Sequence, residues 1–141
     1  MIWAIGTGNT FNATAPAMDT TPVELIPPTF SFSATLTTGL TLEWGVSSDS
    51  KSVNMQATLD RLAWVAVGVS STGMMLGPKT ALSNAVLCSP TDTTAMRQIK
   101  ITEASYAGCV TADTGATALS CSQSGGKTVM RWSRPFDTKI A

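Results

Sequence analysis

From Phe30 onward, apolar and polar residues alternate along the chain. Phe30, Phe32, Ala34 and Leu36 are interleaved with Ser31, Ser33 and Thr35. After Thr37-Thr38-Gly39 the pattern resumes, with Leu40, Leu42, Trp44 and Val46 against Thr41, Glu43 and Gly45. Val53, Met55, Ala57 and Leu59 repeat it against Ser52, Asn54, Gln56 and Thr58. A period of two marks a strand that buries one face and wets the other. The run Leu62-Ala63-Trp64-Val65-Ala66-Val67-Gly68-Val69 is apolar at every position, as a strand covered on both faces should be. A Gly-rich loop, Ser70 to Pro78, follows it. Further strands are expected at Ala81 to Cys88, Gln98 to Glu103, Ala116 to Ser122 and Lys127 to Ser133, the last two joined by a hairpin turn at Ser124-Gly125-Gly126. No stretch of 11 residues has helical periodicity. Short strands with turn signals about every ten residues predict an all-β fold, a β-sandwich or small barrel.

The N-terminal part has another texture. Ile2-Trp3-Ala4-Ile5-Gly6 is a short apolar run closed by Thr7-Gly8-Asn9, a strand ending in a turn. Between Ala13 and Thr29 stand Pro16, Pro22, Pro27 and Pro28 among Thr and Ala, and proline removes backbone donors and favours extended chain. The expected organisation is a strand segment at 1–12, a Pro/Thr-rich linker at 13–29 and a sandwich at 30–141. In polyproline-like geometry such a linker reaches roughly 50 Å, so its two ends need not serve the same domain.

Composition narrows the function. Nine Lys plus Arg balance nine Asp plus Glu, and charged residues are only 13% of the chain, so neither a nucleic-acid surface nor an anionic membrane is an expected partner. No apolar run approaches the ~18 residues of a membrane-spanning helix. The chain has no His, which removes the usual general base at neutral pH, the usual zinc ligand and the usual haem ligand together. No catalytic group is assigned, and an enzyme is not expected. Ser and Thr make up about a quarter of the residues, a mixture suited to a secreted or cell-surface β-rich module. The N-terminus lacks the basic and apolar regions of a signal peptide, so the expectation is a processed chain or a piece of a longer one.

Four runs carry a family resemblance: Leu42-Glu43-Trp44-Gly45-Val46; Ala63-Trp64-Val65-Ala66-Val67-Gly68-Val69-Ser70; Gly73-Met74-Met75-Leu76-Gly77; and Thr128-Val129-Met130-Arg131-Trp132-Ser133-Arg134-Pro135-Phe136-Asp137-Thr138. In this order they resemble the DOMON domain, an immunoglobulin-like antiparallel β-sandwich of secreted and membrane-tethered proteins. Its members bind haem b, are thought to bind sugars, or serve in adhesion. Ile2-Trp3-Ala4-Ile5-Gly6-Thr7-Gly8 resembles the strand that closes such a domain, yet here it comes first. The resemblance therefore implies a window across a tandem array, a circularly permuted domain, or a subunit that donates Ile2, Trp3, Ala4, Ile5 and Gly6 to a neighbour. Self-assembly head to tail, as a filament or array, is the leading expectation.

The same resemblance places a haem-ligating Met in the loop after the central strand, where Met74 and Met75 stand. The His that would complete the pair is missing, so only a second Met or a His from another chain could join it; packing of a loop by two soft apolar side chains is the simpler reading. Haem b and carbohydrate remain alternative ligands, and the leading expectation is no cofactor. Asn12-Ala13-Thr14 is an N-glycosylation sequon. Of three cysteines, Cys109 and Cys121 lie close in sequence and are the expected disulfide, leaving Cys88 for a partner outside the chain or as a buried thiol. Trp44, Trp64 and Trp132 fall on strand positions and should fill the core.

Overall fold

A computed structural model describes residues 2–5, 30–70, 73, 83–103 and 109–136, the first stretch as backbone alone. Ten strands follow the alternation: β1 (Ile2–Ile5), β2 (Phe32–Thr37), β3 (Leu40–Val46), β4 (Ser52–Leu59), β5 (Val65–Val69), β6 (Ser83–Cys88), β7 (Met96–Ile101), β8 (Cys109–Thr111), β9 (Thr117–Ser124) and β10 (Lys127–Pro135). They form two five-stranded sheets, ordered β1-β5-β6-β7-β8 and β2-β3-β4-β10-β9, and all pairings are antiparallel. No helix occurs among the described residues, and none there is long and apolar enough to cross a membrane.

The inner face of the second sheet follows the sequence pattern. Leu40, Leu42, Met55, Ala57, Leu59, Met130 and Trp132 project into one core, where Ala63, Val65, Val67, Val86 and Cys88 of the first sheet and its lead-in meet them. The outer face is polar. Gln56 on β4 donates to Glu43 on β3 (2.7 Å), Arg131 on β10 donates to Gln56, and Ser133 donates to Asn54. The first sheet differs, because both of its faces are shielded: on the side away from the core Ala66, Ala85, Leu87, Ile99 and Ile101 are also buried. This accounts for the unbroken apolar run of β5, which begins later than the sequence suggested, since Leu62 lies in the bend before the strand and is exposed.

Two turns form as their residues dictate. Gly125 and Gly126 link β9 to β10 with φ of 58° and 78°, the left-handed geometry that a tight hairpin requires at both central positions. Gly39, at φ 79°, turns β2 into β3. Among the tryptophans, Trp132 lies within the core and Trp44 is half-buried against it, but Trp64 packs on the opposite face of the first sheet with Ala66, Leu87 and Cys109.

The disulfide differs from the sequence expectation. Cys121 bonds to Cys88, and Cys109 is a free thiol. Cys121 is on β9 of the second sheet and Cys88 ends β6 of the first, with Cα atoms 5.4 Å apart, so the bond spans the core. Cys109 pairs through β8 with Ile101 at the rim of the first sheet, packed on the face turned away from Cys121. Twelve residues of separation brought the two cysteines together on paper, while the sheet assignment put them in different layers.

Candidate functional site

Two parts of the fold are candidate contact surfaces: the edge of β5 and one end of the sandwich. At the β5 edge, Ile2, Trp3, Ala4 and Ile5 take register positions opposite Gly68, Val67, Ala66 and Val65. The other side of β5 is occupied by β6, through Val65 to Cys88, Val67 to Val86 and Val69 to Asn84. Without β1, β5 would be the edge of its sheet. It is poorly suited to that: Val65 is fully buried, Val67 and Ala66 nearly so, and the strand has no charge, no Pro and no bulge to discourage pairing. An unpaired row of backbone N–H and C=O groups in so apolar a setting is costly, and a strand laid against it satisfies them.

The end of the sandwich follows from strand directions. Thr128 at the start of β10 accepts a hydrogen bond from the Ala63 N–H (3.3 Å), and its hydroxyl lies 2.9 Å from the Ala63 carbonyl. Two residues further on, Val65 pairs with Cys88, whose disulfide partner Cys121 pairs with Met130. β5 and β10 thus run side by side, and β5 ends at Val69 on the side where β10 reaches Arg134. There the second sheet has its exposed apolar residues: Phe32 (55% exposed), Val46 (53%) and Phe136 (59%). Phe32 stacks on Trp44 with ring centroids 5.8 Å apart. Partial burial of Arg134 disfavours the charge on its guanidinium and lowers its pKa. This rim combines apolar area with the Arg134 cation, and Lys51 lies beside it, its carbonyl accepting from the Phe136 N–H.

The sequence-derived residues divide accordingly. Ile2 to Ile5 are brought to β5, whereas Gly6, Asn12, Met74 and Met75 lie outside the described residues. The His-free composition does not fit Met/His ligation of haem within this polypeptide, so no chemistry is derived through that group. Among the described residues no three His, Cys, Asp or Glu side chains gather as a metal site would need.

Sequence reasoning missed two buried polar centres. Gln98 of β7 faces the core: its Oε1 accepts from Thr114 N (2.8 Å), Thr114 Oγ1 (2.7 Å) and Ala116 N (3.1 Å), and its Nε2 donates to Ala116 O (2.9 Å). That one amide holds the segment leading into β9 against the first sheet. On the other face Arg97 pairs with Asp92 at 2.8 Å, both side chains 6% exposed. The surface pair Lys127 and Asp60, at 2.9 Å, is solvated and contributes little.

Two antiparallel sheets with an inter-sheet disulfide define an immunoglobulin-like sandwich of the kind found in extracellular modules. A family model described as "DOMON domain" matches residues 36–140, about three quarters of the sequence. The chain belongs to the DOMON domain family. Neither a curated protein nor a solved structure matches it. The family match begins after β1, so the β5 slot is filled by a strand from outside the matched span.

Proposed function

We propose that this chain is a non-catalytic extracellular structural or adhesion module that assembles head to tail by strand donation. Within the single chain residues 2–5 pair with its own β5; in the assembly the same strand of one copy would seat on β5 of the next, in a filament or a tandem array. The supporting observation is the seat itself. β5 is apolar on both faces and receives its outer partner from a segment separated from Phe30 by 24 residues, a contour of roughly 70 Å in extended form. That reach lets the same strand serve its own domain or a neighbouring one. In the antiparallel register Trp3 and Ile5 stand opposite Val67 and Val65. A head-to-tail contact of this type does not close on itself. The inter-sheet disulfide fits an oxidising, extracellular setting.

Deletion of residues 1–12 tests the reading, together with a synthetic peptide spanning residues 2–8. The truncated chain should no longer polymerise and should be unstable, and the peptide should restore its stability at one equivalent. Polymer larger than a dimer that persists after deletion contradicts donation.

A ligand-binding role is the second reading, favoured by the exposed Phe32, Val46 and Phe136 beside Arg134. Haem b, held with help from another chain, would give a Soret band; carbohydrate would alter tryptophan emission through Trp44.

A further inference from the structure

The second sheet has an edge suited to another contact. β2 pairs with β3 on one side, and among the described residues no strand lies on its other side. Open edges are usually blunted by brevity, bulges, proline or charge. β8, the far edge of the first sheet, has only three residues. β9, the other edge of the second sheet, is bent by a register shift opposite Arg131 and Ser133, with Ala118 at a left-handed φ of 51°. β2 carries neither proline nor charge, and no charged residue occurs between Glu24 and Glu43. Phe32, Ser33 and Thr35 are exposed along it.

We infer that β2 is a homotypic docking edge, pairing antiparallel with β2 of a second copy about a twofold axis through Ala34. The partner is identified by self-complementarity. With Ala34 opposite Ala34 of the partner subunit, Phe32 falls opposite Leu36 of the partner subunit, and Ser33 opposite Thr35 of the partner subunit. Apolar positions meet apolar positions on the core side, and hydroxyls meet hydroxyls on the outer side, the combinations that favour cross-strand pairs. Such an isologous contact closes as a dimer. The twofold joins two second sheets into one of ten strands and covers the Phe32–Trp44 stack, which is otherwise left open at Phe32. The register shift between Thr35 and Thr37 ends the regular stretch, so the contact is short and its dimer concentration-dependent. It is independent of the β5 seat, which lies in the other sheet.

Sedimentation equilibrium of the full chain tests this with two variants at exposed positions, circular dichroism confirming the fold of each. Ser33→Glu with Thr35→Glu sets like charges opposite each other across the axis, beside Glu43 at the register position next to Ser33. Association through β2 should weaken at least tenfold. Ser33→Lys with Thr35→Glu sets opposite charges across the axis and should recover dimerisation to within a few-fold of the parent. If all three proteins show the same mass distribution, the β2 contact is overturned, and any polymer that remains is strand donation alone. If a dimer responds to the charges and nothing larger forms, the β2 contact stands and donation fails.

Discussion

Cys88 of the first sheet and Cys121 of the second close a disulfide across the core, 33 residues apart in sequence and 5.4 Å apart at Cα. The bond ties β6 to β9, strands that share no hydrogen bonds. Closing a loop of that length restricts the unfolded chain by about 4 kcal/mol in the chain-entropy model. The double variant Cys88→Ser, Cys121→Ser should therefore lose roughly 3–4 kcal/mol in urea unfolding. A loss under about 1 kcal/mol would contradict the cross-core placement.

Cys109 is the thiol that remains, half-buried on β8, and burial pushes its pKa above the ordinary 9.0. The protonated form is the one the fold favours. Stability is therefore undiminished below pH 9 and declines as pH rises through 9 and above, where the unfolded chain releases the proton first. Native protein treated with iodoacetamide at pH 8 should gain one adduct, at Cys109, more slowly than free cysteine does. Cys109→Ser should flatten the alkaline decline. Adducts at Cys88 or Cys121 would be incompatible with the bond described.

Gln98 is the buried polar hub of the fold. Replacement by Ala would leave Thr114 N, Ala116 N and Ala116 O without partners in a site closed to water. Each orphaned buried group costs about 1–3 kcal/mol, so Gln98→Ala should destabilise by about 3 kcal/mol or more. Glu at this position keeps the acceptor but loses the donor to Ala116 O, and should unfold more readily as pH rises and the buried carboxyl ionises. Chemical denaturation at pH 5 and pH 8 checks both.

Asp49 makes a smaller, local contribution. It accepts from Ser47 Oγ (2.6 Å) and Lys51 N (3.1 Å) in the turn between β3 and β4, and the Ser47 hydrogen bond, more than any other cause, holds its carboxyl below the usual 3.8. The turn is therefore fully held above pH 3.8 and loosens as pH falls through the lower folded value. The Lys51 amide should exchange faster in Asp49→Ala, to an extent that shrinks as pH falls through the lowered folded value.

The strands were legible wherever alternation ran for six residues or more, as in β3 and β4, and the Gly125–Gly126 hairpin was legible because only glycine enters that turn at no steric cost. β8 was not legible, since Cys-Val-Thr is too short to show a period. Neither was the burial of Arg97 and Gln98. They are neighbours on opposite faces of β7, and a strand shielded on both sides hides polar residues that the period-two rule assigns to solvent. The cysteine pairing failed for a related reason: sequence separation does not report which sheet a strand joins. The β5 slot was legible in outline, because Ile2 to Ile5 looked like a strand in search of a partner and Val65 to Val69 like one needing neighbours on both sides.

The central claim, that residues 2–5 serve β5 of another copy, is tested most directly by the native mass of the full chain, measured by light scattering in dilute buffer without denaturant. Strand donation predicts a mass many times 14.7 kDa that falls to that of a single chain in denaturant. A native mass of one chain, unchanged on concentration, would mean that β1 stays on its own β5, as it does within the single chain, and would contradict the account.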